Sequence, residues 1–215
     1  MHCILVNFFV NFLFYDIIKT MITIKRGKLK NIRLKITPEG DLVVSAPKNT
    51  SDKEIENIIN QKQNWINKTT NLFKAKRLME SKYNFSEYIY IFSKPYIYKG
   101  NRAQIYVDAF YNHVVPLLNH WVEITGLEYK NLKIINSKRV WGMMSDKKML
   151  KLNLVLVILP QNLCEYVIIH ELCHIKEMNH SRNFWALVEQ FCPNYKQLRK
   201  ELKLYSFLLE KQNIF

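Results

Sequence analysis

The sequence predicts an α+β fold arranged around one helix that carries a metal-site motif. Three observations lead there. Runs at 22–26, 31–37 and 42–46 are rich in aliphatic residues and read as strands of a small antiparallel sheet. From Ser51 onward, Ile55, Ile58, Ile59, Trp65, Ile66 and Leu72 recur at helical spacing, which predicts a long helix. Residues 167–174, Val-Ile-Ile-His-Glu-Leu-Cys-His, set H-E-x-x-H on an apolar run suited to a buried helix.

With 215 residues, 48% hydrophobic and 23% charged, the chain has the balance of a globular protein and not of a disordered one. The length divides into an apolar extension at 1–20, a sheet-and-helix part at 21–100 and a core at 101–215. Cys3 to Ile18 is mostly apolar but is interrupted by Asn7, Asn11 and Asp16. It is too short and too polar for a membrane-spanning helix of about 20 residues, and it lacks the basic start of a signal peptide. The expectation is a non-essential extension or an upstream start, with no firm membrane association and a peripheral membrane anchor as the alternative. The cysteines Cys3, Cys164, Cys173 and Cys192 form no C-x-x-C pair, which favours a reduced, cytoplasmic protein.

In chain order, Pro38-Glu39-Gly40-Asp41 is a turn in which glycine supplies a positive φ. Ser51-Asp52-Lys53-Glu54 is a capping box that starts the first helix. Residues 88–92 and 95–98 read as a hairpin. A helix is predicted from Asn101 to Thr125, with Val107, Phe110, Val114, Leu117 and Trp121 inward, a kink at Pro116 and a cap at Gly126. Strands follow at 132–136 and 149–157, and the second is expected to pair with an extended peptide at a sheet edge. Pro160 opens the motif helix. Ser181 caps a helix at 182–191, and another follows at 195–209.

The motif carries the chemistry. On a helix, His170 and His174 lie about 40° apart and one turn along, so both rings reach one ion. Glu171 stands beside the first ligand, where its carboxylate reaches a water on the metal. Zinc suits two imidazoles, a third ligand and an open position. His180 is the expected third ligand, just beyond a turn at 177–179, with Glu189 the alternative. Cys173 falls on another helix face and is read as packing. His113 and His120, seven apart, are read as polar-face residues. Zinc would acidify the water and polarise a peptide carbonyl while Glu171 acts as general base.

The sequence resembles the YgjP-like metallopeptidases, zincins similar to the SprT-like proteases, from about Ile24 to Leu202. The resemblance is carried by His170-Glu171-Leu172-Cys173-His174, Asn179-His180-Ser181, Phe184-Trp185, Leu42 to Pro47 and Glu54 to Ile66. It implies a zincin-like domain, zinc on His170, His174 and His180, Glu171 as base, and protein or peptide substrates. Val140-Trp141-Gly142-Met143-Met144-Ser145 stands where the family carries Arg-Trp-Gly-Ser-Cys-Ser; only Trp141, Gly142 and Ser145 agree, and substrate choice is where the change is expected to tell. Asn153 matches the family pattern. No methionine follows His180, so a metzincin is excluded. The net charge of +14, with six basic residues from Lys25 to Lys35, favours an acidic partner. That charge keeps nucleic acid as a possible partner, and it supports a second reading: a nucleic-acid-associated protein with a structural, non-hydrolytic zinc site.

Overall fold

The computed structural model describes residues 21–211. The expectation for residues 1–20 lies outside them. Packing divides the chain into two compact units, with the boundary after Leu78.

In the first unit, strands β1 (Ile22–Gly27), β2 (Arg33–Ile36) and β3 (Leu42–Pro47) form a sheet of order β1-β3-β2. The turn around Gly40, whose φ is +95°, makes β2 and β3 antiparallel as expected. β1, however, pairs parallel to β3, so the sheet is mixed and not purely antiparallel. Local turn chemistry fixes only the hairpin; β1 reaches β3 through a non-local pairing that no turn signal reports. Leu42, Val44 and Ala46 point inward with Ile36, Ile55 and Ile66, while Lys25, Arg33 and Lys35 stay exposed. The basic run is thus largely a solvated sheet face. The long helix is two, α1 (Asp52–Gln61) and α2 (Gln63–Glu80), broken at Lys62, whose φ and ψ of −98° and 5° leave the helical region. Ser51 Oγ accepts from Glu54 N–H at the start of α1.

The second unit begins with the hairpin of β4 (Tyr88–Ile91) and β5 (Lys94–Ile97), whose Ile89 and Tyr90 enter this unit's core. The hairpin, expected within the 21–100 part, lies in the second unit. Its tip holds Phe92 and Ser93 at positive φ; Phe92 N–H donates to Val157 O at 2.7 Å and Ser93 N–H to Ile158 O at 3.0 Å. Next come α3 (Arg102–Ala109), a π-helical turn (Phe110–Val114) and α4 (Val115–Thr125). Pro116 has no amide hydrogen, and the wide turn just before it accommodates this, so the helix is re-registered. The buried face is therefore Tyr106, Ala109, Phe110, Val114 and Leu118, while Val107, Leu117 and Trp121 are half-buried. Gly126 ends α4 at φ +64°.

β6 (Asn131–Ile135), β7 (Gly142–Met144) and β8 (Met149–Asn153) form a second three-stranded sheet of order β6-β8-β7. The predicted strand at 149–157 stops at Asn153, because the Asn153 side chain accepts from Val155 N–H and caps a 3₁₀ turn at Leu154–Ile158. β8 is the central strand, so it cannot offer an edge to a substrate; β7 is an edge strand of this sheet. Asn153 is fully buried, and its Nδ2 donates to Ser137 O at 2.7 Å and Val140 O at 2.8 Å. It thereby latches the loop that delivers β7. Helices α5 (Gln161–Cys173), α6 (Arg182–Phe191), α7 (Tyr195–Leu202) and α8 (Phe207–Glu210) complete the unit. The predicted last helix at 195–209 is interrupted by a 3₁₀ turn at Lys203–Tyr205. Among the described residues no helix is long and apolar enough to cross a membrane.

Replacing Asn153 by Ala removes the donor to two part-buried carbonyls, Ser137 O and Val140 O, and the acceptor of Val155 N–H, at about 1 kcal/mol for each bond. Asn153→Ala should lower the urea midpoint clearly, whereas Lys147→Ala, at an exposed position, should shift it little; equal midpoints for the two would contradict the latch.

Candidate metal centre

Helix α5 is buried almost all round, from Leu163 to Cys173. An apolar helix of this kind is held by core packing, and its C-terminal turn carries the polar groups to the rim. His174 is the C-cap, and the chain turns back through 175–180 to Ser181. Ser181 Oγ then accepts from Phe184 N–H and starts α6. His170, His174 and His180 are thereby brought together, with one ring nitrogen of each within 4.8 Å of the others.

The nitrogens are oriented as well as close. His174 Nδ1 lies 2.9 Å from Glu177 O. A carbonyl only accepts, so Nδ1 carries the hydrogen and Nε2 keeps its lone pair for a cation. His170 Nε2 and His180 Nε2 are 3.0 Å apart. Tetrahedral zinc with bonds of about 2.0–2.1 Å sets its ligand nitrogens roughly 3.4 Å apart, so small side-chain adjustments fit the set to such an ion. Phe184, fully buried, underlies all three rings: it stacks on His174 at 4.4 Å and meets His170 and His180 edge-on at 4.9 and 4.8 Å. Glu189, the alternative third ligand, is outside the cluster; its carboxylate bonds Lys196 Nζ at 3.1 Å. Cys173 is buried in the core, and His113 and His120 are exposed.

Glu171 is buried beside the histidines. A Cβ on Gly142 would lie 2.7 Å from its Cγ, so only glycine lets β7 pass this close. The Met144 backbone favours the charged carboxylate, but burial outweighs it and pushes the Glu171 pKa up to about 8. Burial, then His174, His180 and Arg199, bring His170 down to about 3, and burial first also lowers His180. His170 is therefore neutral near pH 7 and ready to bind a cation.

Sequence reasoning missed the roles of Gly142, Phe184 and the Glu177 carbonyl. Gly142 and Phe184 were visible only as residues shared with a family; nothing local says that a glycine on one strand faces a glutamate on a distant helix. In the departing stretch, Met143 is exposed and Met144 buried in the core, so the two altered side chains lie on opposite faces of β7, while its backbone approaches Glu171.

The mixed α+β fold, with its histidine cluster at the end of a buried helix, defines a zincin-like metallopeptidase domain. The YgjP-like metallopeptidase domain family matches residues 30–109 and 102–205, and the chain belongs to that family. Among solved structures, it is similar to the metallopeptidase zymogen of Pyrococcus abyssi abylysin, at 28% identity over 41% of this chain and 90% of that one, with a TM-score of 0.39. No curated protein matches it.

A cation arriving at the three imidazoles places positive charge beside Glu171 and lowers its pKa. Near pH 7 the protein should therefore release about one more proton per zinc than Glu171→Gln does, and this difference should fade as pH rises through about 8, where Glu171 is already charged. Calorimetry in buffers of different ionisation enthalpy measures it; a pH-independent difference of zero would contradict the protonated Glu171.

Proposed function

We propose that the protein is a zinc endopeptidase in which His170, His174 and His180 hold the metal and Glu171 is the general base. The convergence of three imidazole nitrogens within 4.8 Å, with a buried carboxylate next to the first, carries this reading. Three neutral nitrogen ligands suit zinc and leave a coordination position open. When bound, zinc supplies Lewis acidity for the attacking water and the scissile carbonyl.

The chain's own groups then do the proton work. Glu171, charged once a cation is present, takes a proton from the attacking water at its carboxylate and hands it to the leaving amine. Gly142 keeps the carboxylate in place by admitting it where a methyl group would collide. An extended substrate would lie along β7, the edge strand next to Glu171.

Glu171→Gln should keep its zinc and lose roughly 10²–10⁴-fold in kcat. Peptidase activity that survives in the zinc-loaded variant would remove Glu171 as the base. Metal analysis of His180→Ala should show most zinc lost, and Glu189→Ala should retain it; the reverse pattern would reassign the third ligand. Gly142→Ala should hold zinc yet lose activity, because the added methyl displaces Glu171. Unchanged kcat there would mean that Glu171 needs no such seat.

A further inference from the structure

We propose that the cleft adjoining the metal centre is a substrate subsite that selects acidic side chains of a peptide; this rests on the peptidase reading above. The cleft, ≈ 440 Å³, is lined by Trp185, Tyr195, Lys196, Arg199, Lys200 and Lys203. Four of these six are cationic and none is acidic.

Trp185 is the wall shared with the metal centre. Its ring stacks on His180 at 5.5 Å and 24°, and on Tyr195 at 5.2 Å and 13°. A group bound in the cleft therefore lies across one indole from His180 and His170. The cations come from a single helical face: 196, 199, 200 and 203 stand at i, i+3, i+4 and i+7 on α7 and the turn after it.

Their charges are not equal in availability. Lys196 is bonded to Glu189 and so is neutralised locally. Arg199, Lys200 and Lys203 have no ion pair among the described residues. Three like charges beside one cleft repel one another until an anion enters. The Arg199 guanidinium lies over the Trp185 ring at 4.7 Å, which restrains its donor fork for a carboxylate. The stacked Trp185 and Tyr195 rings form a fixed apolar wall beside these cations, against whose edges the short stem of a glutamate or aspartate would pack. The cationic face runs only about 10 Å along the helix. That length suits one or two side chains; a nucleic-acid strand would need a longer basic track over several phosphates.

Two readouts test this on the full chain. The first compares kcat/KM of the zinc-loaded protein for two fluorogenic peptides that differ only in Glu against Gln. The second measures anisotropy of a short labelled Glu-rich peptide and its Gln counterpart on zinc-loaded Glu171→Gln. The expected preference for Glu is about tenfold or more in both, weakening with salt. Within either background, Arg199→Gln and Lys203→Glu, both exposed positions, should bring the ratio towards one. Equal binding of the Glu and Gln peptides, or a ratio that these variants leave intact, would overturn the subsite. So would a single-stranded oligonucleotide that outcompetes the Glu peptide and loses binding in the same variants. If the Glu peptide binds with the expected preference but neither peptide is cleaved, the peptidase reading fails and the acidic subsite stands. If both are cleaved and bound alike, the subsite fails and the peptidase reading stands.

Discussion

A carboxylate buried at the end of an apolar helix is the constraint on which the rest of the site depends. Glu171 lies on α5 among Ile169, Leu172 and Cys173, where a charge without a partner is costly. Burial pushes the Glu171 pKa up to about 8, so that the group can stay protonated near neutral pH. A cation on the neighbouring imidazoles removes the need. In the proposed mechanism, burial makes Glu171 a poor base alone and a responsive one beside a metal, which would couple metal binding to the proton chemistry.

Two elements from different parts of the chain make this arrangement possible. β7 approaches the helix closely enough to seat Glu171, because Gly142 has no side chain and because Asn153 latches the loop before it. On the other side, α6 presents Phe184 as a common floor for the imidazoles. Ser181, by capping α6, orients Phe184 and fixes where His180 must stand. Trp185 then extends the same surface from His180 to the basic face of α7. The cation site and the cationic cleft share one aromatic wall, so the chemistry that would bind a substrate's charge lies close to the chemistry that would cut its backbone.

Much of the site was legible in the sequence because helices encode proximity locally. The i and i+4 spacing of His170 and His174 places both rings on one side, and Ser181 marks the next helix, which leaves His180 at its mouth. Strand ends and pairings were less legible, since their causes are remote. β1 joins β3 in parallel through non-local contacts. Asn153 stops a strand that its neighbours' β-branched side chains would continue, because its side-chain oxygen accepts from Val155 N–H and caps the 3₁₀ turn. The π turn answers Pro116 by shifting the inward face, an adjustment a regular 3.6-residue period does not contain. Gly142 carries no local sign of its purpose, because the atom it makes room for belongs to a helix almost thirty residues later.

In the proposed site three imidazoles, and no thiolate, hold the metal. X-ray absorption at the zinc edge of the full-length, zinc-loaded protein reads this directly. The expected result is imidazole scattering from three histidines with nitrogen at about 2.0–2.1 Å, reduced to two in His180→Ala. A sulfur scatterer at about 2.3 Å, which would bring in Cys173, or an imidazole count unchanged by loss of His180, would contradict it.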